Sequence, residues 1–83
     1  MRLVNIRPNF HMLEDDGPRK TTVWFSYETP VALQVGRGIM VVRKNVWGPT
    51  TGRHLNAIDG GGPLAKAERV DAETFTAHLE AAF

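Results

Sequence analysis

The alternation of apolar and polar residues in the first half of the chain predicts β-strands. Residues 2–7 alternate loosely and are rich in Val and Ile, and Pro8 ends this strand because proline offers no N–H to a sheet. The turn-forming residues Asp15–Pro18 follow. Lys20–Tyr27 is the clearest strand, since Val23 and Phe25 alternate with residues that point to the opposite face.

Two further strands and a hairpin are predicted after a break at Glu28-Thr29-Pro30. Val31–Val35 starts the next strand, and Gly36-Arg37-Gly38 is typical of a hairpin connection. Ile39–Arg43 is the return strand and is apolar until its end, which indicates a central strand covered on both faces or an edge strand buried in a dimer. The prediction is an antiparallel meander of three strands, or four with the N-terminal one.

The spacing of apolar residues becomes helical in the second half. Thr50 or Thr51 is predicted to cap a short helix in which Leu55 and Ile58 share one face. Gly60–Pro63 ends that helix as a flexible loop, and Lys66–Val70 is predicted to add a short edge strand.

A C-terminal helix is predicted from both its start and its apolar face. Asp71 is a good N-cap, and Val70 and Phe75 occupy the two positions of a hydrophobic staple. The apolar stripe that the sheet must bury consists of Phe75, Leu79, Ala82 and Phe83. We therefore predict a single small α+β domain over residues 1–83, and we expect loss of Phe83 to destabilise it.

Size and composition narrow the class of protein. A chain of 83 residues has a thin stability margin, so coverage of part of its surface by a second copy, as a homodimer, is the default expectation. The absence of cysteine excludes disulfides and thiolate metal sites. No apolar run approaches the roughly 18 residues of a membrane-spanning helix. The N-terminus also lacks a signal-peptide pattern, so we predict a cytoplasmic protein that does not bind membranes.

The charge of the chain argues against strong nonspecific binding to nucleic acid. Ten Lys and Arg residues against nine Asp and Glu give a net charge of +1. The cations nevertheless cluster in the middle of the chain, at Arg37, Arg43, Lys44 and Arg53.

The histidines offer little support for an enzyme. None of His11, His54 and His78 has a second ligand at metal-site spacing, so no metal site is predicted. His78 is interpreted as a packed or capped structural residue of the last helix. Only His54 has polar neighbours, and without a nucleophile motif or an orienting acid it is interpreted as a surface or boundary residue. The predictions are no enzymatic activity, no catalytic residues and no cofactor.

Two kinds of binding partner stay open. The cations Arg43 and Arg53 lie close in sequence to Trp47, which favours a base-stacking, nucleic-acid-binding loop. Trp24, Met40 and Trp47 are also residue types that are frequent at protein–protein interfaces. The near-neutral charge and the absence of a nucleic-acid-binding motif favour a protein partner.

Two segments bear a resemblance to a known family. Residues 26–32 (SYETPVA) and 43–56 (RKNVWGPTTGRHLN) resemble a family of small uncharacterised proteins that are common in bacteriophages and prophages. The resemblance covers about the middle and C-terminal two-thirds of the chain. This chain departs from the family pattern at Gly48-Pro49, where many members carry Ser before the Thr pair. The positions that match are Tyr27, Thr29, Pro30, Asn45, Trp47, Thr50, Thr51, Gly52, His54 and Asn56.

The resemblance implies a phage gene product and no particular mechanism. Small phage proteins without a catalytic signature usually act by binding. We therefore predict a binding protein that acts on a host or competing-phage component, in host takeover or prophage-mediated antiphage defence, with a small nucleic-acid-binding regulator as the alternative. The candidate binding surface comprises Arg43, Asn45, Trp47, Thr50, Thr51, Arg53, His54 and Asn56.

Overall fold

Five antiparallel strands form one sheet in which each strand pairs with the next along the chain. The computed structural model describes residues 1–82. Its elements are β1 (Arg2–Arg7), β2 (Phe10–Asp15), β3 (Thr21–Ser26), β4 (Thr29–Val35), β5 (Val41–Val42), α1 (Pro49–Asp59), α2 (Pro63–Ala67) and α3 (Ala72–Ala82). The α+β class and the antiparallel meander with a C-terminal helix are confirmed, although the sheet has five strands where three to four were predicted. No helix of residues 1–82 is long and apolar enough to cross a membrane.

The additional strand is β2, which follows a two-residue turn at Pro8 and Asn9. Asn9 adopts a positive φ of 61°, a conformation that asparagine tolerates better than most residues. β2 pairs with β1 on one side and with β3 on the other. The sequence of β2 did not predict a strand because Met12 and Leu13 are adjacent apolar residues. They point to opposite faces, so the alternation of apolar and polar residues is absent.

The predicted return strand is much shorter than expected and lies at the edge of the sheet. Only β5, two residues long, pairs with β4, through Ala32–Val42 and Leu33–Val41. The preceding Ile39 is exposed. Beyond β5, Arg43 forms a parallel bridge with Val70. The central-strand prediction for Ile39–Arg43 is wrong, because Val70 and not a full strand occupies that side.

Helices α1 and α3 cover opposite faces of the sheet. Neighbouring strand residues point to opposite faces, and two separate core clusters result. On the α1 face Leu55 packs with Val31, Ala32 and Val42, and Trp24, Met40 and Ile58 border this cluster. On the α3 face Phe75 packs with Val23 and Leu33, and Val41, Val70, Leu79 and Ala82 border that one. The predicted inward faces of both helices are confirmed, whereas Phe83 lies outside the described residues.

The predicted start of α3, with Asp71 as its N-cap, is confirmed. The Thr74 N–H donates to Asp71 Oδ1 over 2.8 Å, and the Phe75 N–H donates to the Asp71 carbonyl. Val70 packs beside Phe75 as the staple requires. His78 is the exception on this helix, because it is exposed and not packed as predicted.

Two predictions between β5 and α3 are wrong. Neither Thr50 nor Thr51 caps α1. The N-cap is Gly48, which makes no side-chain hydrogen bond. The helix starts there because Pro49 is suited to the first helical position. The edge strand predicted at Lys66–Val70 is replaced by α2, which again begins at a Gly-Pro step. Only Val70 of that segment pairs with the sheet.

Candidate functional site

The eight residues of the predicted binding surface do not form one surface. Thr51 and His54 are buried between α1 and the sheet. Asn56 lies at the C-terminal end of α1 and bonds Arg69. The remaining five, which surround the loop between β5 and α1, are Arg43, Asn45, Trp47, Thr50 and Arg53. The set therefore falls into three parts: the buried Thr51 and His54, Asn56 with its bond to Arg69, and the loop before α1.

The buried polar cluster joins α1 to the end of β3. Ser26 Oγ lies 2.7 Å from His54 Nδ1 and 2.9 Å from Thr51 Oγ1. The His54 ring stacks on Phe10 at a centroid distance of 4.6 Å and an interplanar angle of 6°. His54 is 4% exposed and Ser26 2% exposed. The interpretation of His54 as a surface or boundary residue is wrong, because its ring replaces an apolar residue on the inner face of the helix.

The surroundings of His54 favour the neutral imidazole. Burial lowers the pKa of His54, and the positive charges of Arg7 and Arg53 lower it further. Two proton arrangements satisfy both contacts of Ser26 Oγ: the hydroxyl donates to His54 Nδ1 and accepts from Thr51, or it accepts from Nδ1–H and donates to Thr51 Oγ1. In both arrangements Ser26 links Thr51 to His54 in one hydrogen-bonded chain.

A serine–histidine hydrogen bond is also the first requirement for nucleophilic catalysis. Here the Ser26 hydroxyl is enclosed by β3, Thr51 and His54, so it is not presented to a substrate. The geometry suits the attachment of α1 to the sheet better than chemistry on an external molecule. Among residues 1–82, no group of three or more His, Cys, Asp and Glu side chains could hold a metal ion.

The loop between β5 and α1 presents an aromatic ring in a fixed position. The Trp47 N–H donates to Asn45 Oδ1 over 2.9 Å, and Asn45 Nδ2 donates to the Gly48 carbonyl over 3.3 Å. The Arg43 guanidinium lies 4.6 Å from the centre of the Trp47 ring, within cation–π range. Trp47 remains 39% exposed and its neighbour Val46 71% exposed.

Thr50 and Arg53 extend this loop onto the first turns of α1. Arg53 Nη2 donates to Thr50 Oγ1 over 3.3 Å, and Arg53 is exposed. Trp24 and Met40, the other predicted interface residues, instead pack beside the core cluster under α1. Apart from Asn56 at the other end of α1, the accessible residues of the predicted surface lie in this loop and the adjacent turn.

A buried ion pair that the sequence did not indicate fixes the other end of α1. Arg69 donates to both carboxylate oxygens of Asp59, over 2.8 and 2.9 Å, and to Asn56 Oδ1 over 3.1 Å. The hydrogen bond from Arg69 is the main reason that the pKa of Asp59 is lowered. The Gly61 N–H also donates to Asp59 Oδ1. Asn56 is therefore an exposed residue whose side-chain oxygen contributes to this ion-pair cluster.

Comparison with known proteins identifies a protein family for this chain but no activity. Neither curated proteins nor solved structures include a match to this chain. A model of a family of unknown function matches residues 1–76, nearly the whole chain and all elements up to the first turns of α3. The chain belongs to this family of unknown function, DUF8033.

Proposed function

We propose that this protein is a non-enzymatic binding protein that recognises another protein through the exposed loop before α1. The recognition surface, which we term the Trp47 surface, consists of Arg43, Val46, Trp47, Thr50 and Arg53. The observation that carries the proposal is the state of Trp47: its side chain is partly exposed, the Arg43 guanidinium lies over its ring, and Asn45 accepts a hydrogen bond from its backbone N–H.

The composition of the Trp47 surface suits protein recognition. Trp and Arg are the residue types most frequent among interface hot spots, and Val46 adds exposed apolar area beside them. Because hydrogen bonds from and to Asn45 already order the loop, a partner would not have to immobilise it, which reduces the entropic cost of binding. The exposed Arg53 and Lys44 favour a partner with acidic groups around an apolar pocket.

The biological setting follows from the family-like pattern and is part of the proposal. The segments 26–32 and 43–56 resemble phage and prophage proteins, so we place this protein in the cytoplasm of a bacterial host. There it would bind a host or competing-phage component, in host takeover or antiphage defence. The proposal includes a homodimer, as the small size of the chain predicts.

The burial of the Ser26 and His54 pair supports a role without catalysis. A catalytic pair must reach its substrate, and both residues lie beneath α1. Nucleic-acid binding by Arg43, Lys44 and Arg53 is the alternative. It is less well supported because the Arg43 guanidinium already lies over the Trp47 ring that a base would need for stacking.

Affinity purification from bacterial cells tests the proposal. Wild-type protein, Trp47→Ala and Leu64→Ala would be compared; Leu64 is 82% exposed and distant in the fold, so its variant controls for loss of exposed apolar surface. We expect one protein to be retained by wild type and by Leu64→Ala but lost with Trp47→Ala. Direct titration of that purified protein should show at least a tenfold weaker affinity for Trp47→Ala, as for a hot-spot residue.

Two results would overturn the proposal. One is a set of captured proteins that Trp47→Ala leaves unchanged. The other is salt-dependent binding of the purified protein to short DNA or RNA, weakened by Arg53→Ala, which would establish the alternative.

A further inference from the structure

The outer edge of β1 is the longest unpaired strand edge among residues 1–82. β1 is the first strand of the sheet and pairs only with β2, whereas the opposite edge is the two-residue β5 followed by the Arg43–Val70 bridge. Contacts of α1 and α3 with the sheet extend from β5 as far as Phe10 of β2, and Leu3 of β1 remains 61% exposed, so the helices leave this edge uncovered. An unpaired strand offers a row of backbone donors and acceptors to another strand.

Two rows of apolar side chains cross the sheet and end at this edge. The row on the α3 face is Leu3, Leu13, Val23, Leu33 and Val41, and the row on the α1 face is Val4, Met12, Trp24, Ala32 and Val42. Leu3 is 61% exposed, although its row is buried at Val23 and Leu33. Both apolar layers of the protein are therefore open at β1.

We propose that β1 pairs with β1 of a second copy of this chain, antiparallel about a two-fold axis, so that two sheets join into one of ten strands. This pairing is the interface of the homodimer that the proposed function includes. It rests on that part of the proposed function alone, because the Trp47 surface does not contribute to the interface. Such an axis stands perpendicular to the sheet and keeps the α1 helices of both copies on one face. Residues opposite each other then point to the same face, so each face of one sheet continues as the same face of the other.

The distribution of charge along β1 favours self-pairing in one register. An axis at Arg2 or at Arg7 would place an arginine directly opposite its own copy, which is unfavourable. Ile6 lies at an irregularity between the paired residues Asn5 and Arg7, which limits pairing at that end. Axes at Leu3, Val4 and Asn5 avoid the contact between arginines. The axis is placed at Val4 because an axis at Leu3 pairs fewer β1 residues, and an axis at Asn5 encloses the irregularity within the paired segment.

Pairing centred on Val4 places compatible side chains opposite each other. Val4 meets its own copy, Leu3 lies opposite Asn5, and Arg2 lies opposite Ile6. Arg2 already forms a 3.0 Å ion pair with Glu14 of its own chain, so its charge is compensated at the interface. Among residues 2–6 no two like charges face each other, and the exposed Leu3 of each copy lies diagonally beside Leu3 of the other. A second copy therefore supplies apolar contacts for the residues that β1 leaves open.

The mass in solution and a cysteine cross-link test the interface. Sedimentation equilibrium of the wild-type protein should give twice the 9.2 kDa chain mass at micromolar concentration. Because the chain contains no cysteine, single-cysteine variants report on one position each. Directly opposite residues are close enough for a disulfide, so mild oxidation should cross-link Val4→Cys at least tenfold more than the exposed control Leu64→Cys.

A charge pair provides a second test that does not depend on oxidation. Val4→Lys and Val4→Glu should each be monomeric, and mixing the two should restore a dimer that contains one of each. Far-UV circular dichroism and urea unfolding would verify that both variants fold. If either does not fold, wild-type mass and the Val4→Cys cross-link decide the proposal.

Several outcomes would overturn this interface. They are a wild-type protein that stays monomeric up to about 100 μM, equal cross-linking of Val4→Cys and Leu64→Cys, or a Val4→Lys variant that stays dimeric. A stronger cross-link at Leu3→Cys or Asn5→Cys than at Val4→Cys would overturn the register. Trp47→Ala should remain a dimer, so that failure of the interface and failure of the Trp47 surface are distinguished.

Discussion

Ser26 and His54, 28 residues apart in the chain, share a buried hydrogen bond of 2.7 Å that attaches α1 to the end of β3. The Phe10 ring closes one side of the imidazole, and Thr51 supplies a second hydroxyl to Ser26. A polar network of this kind stabilises only when every member is paired. It therefore makes the attachment of α1 sensitive to pH and to the loss of a single hydroxyl.

Stability should fall when the pH drops below about 6.5. The folded protein lowers the pKa of His54 from 6.5, so the unfolded chain binds the proton more readily. The contribution of His54 is complete above that value and decreases, by at most about 1.4 kcal/mol per pH unit, until the folded residue is also protonated. Urea unfolding between pH 5 and 8 measures this decline.

The matching control removes other histidines. His11→Gln and His78→Gln should retain the decline between pH 6.5 and 5, whereas His54→Gln should abolish most of it. A decline of unchanged steepness in His54→Gln would contradict the assignment.

Removing the Ser26 hydroxyl should destabilise the protein by about 1–3 kcal/mol, because His54 Nδ1 is then buried without a partner. Thr51→Val should also destabilise it, and the double variant should lose less than the two single losses added together, since both belong to one network. Thr76→Ala, an exposed threonine of α3, is the control. Strictly additive losses would show that the two hydroxyls act independently.

Breaking the buried ion pair should cost much more than breaking an exposed one. Arg69→Met leaves the Asp59 carboxylate buried without its partner and should cost about 3–5 kcal/mol. Arg2→Ala removes an ion pair to Glu14 of similar length at the surface and should cost at most about 1 kcal/mol. The measurement is the free energy of unfolding in urea, and the double variant Asp59→Leu with Arg69→Met should recover part of the loss.

The triple glycine should respond differently at each position. Gly62→Ala should be neutral or slightly stabilising, since its φ is −72° and an added Cβ meets nothing within 4 Å. Gly60→Ala has equal space but a φ of +86°, and should cost about 1 kcal/mol. Gly61→Ala should cost the most, because φ is +66° and the Cβ would lie 2.5 Å from the Asn56 side chain, which Arg69 holds. Thermal unfolding ranks the three, and equal midpoints would refute this explanation.

The elements that local sequence determines were predictable. β3 alternates between two faces, and α3 has both a capping Asp71 and an apolar stripe that begins at Phe75. β2 was not predictable from periodicity, because neighbouring apolar residues occupy both of its faces. The start of α1 was misjudged because Thr50 and Thr51 are good caps in isolation, whereas Pro49 allows the helix to begin with Gly48 as its cap, two residues before Thr50.

The sequence indicated which residues lie near the loop before α1, but not which of their side chains point into the core. Thr51 lies four residues before Leu55 and His54 lies four residues before Ile58, the spacing of a single helix face, and this pattern could have identified both as buried. The Asp59–Arg69 pair left no comparable pattern. It depends on the path of α2, which brings residues ten positions apart together.

The order of strands in the sheet has a consequence for how the protein folds. Every strand pairs with its sequence neighbour, so each can add to the sheet soon after it is synthesised, with little loop-closure entropy. Helices α1 and α3 come last, and until they leave the ribosome both apolar faces of the nascent sheet are open to water. We therefore expect an early and fast sheet whose protection from aggregation depends on how quickly the last third of the chain is translated.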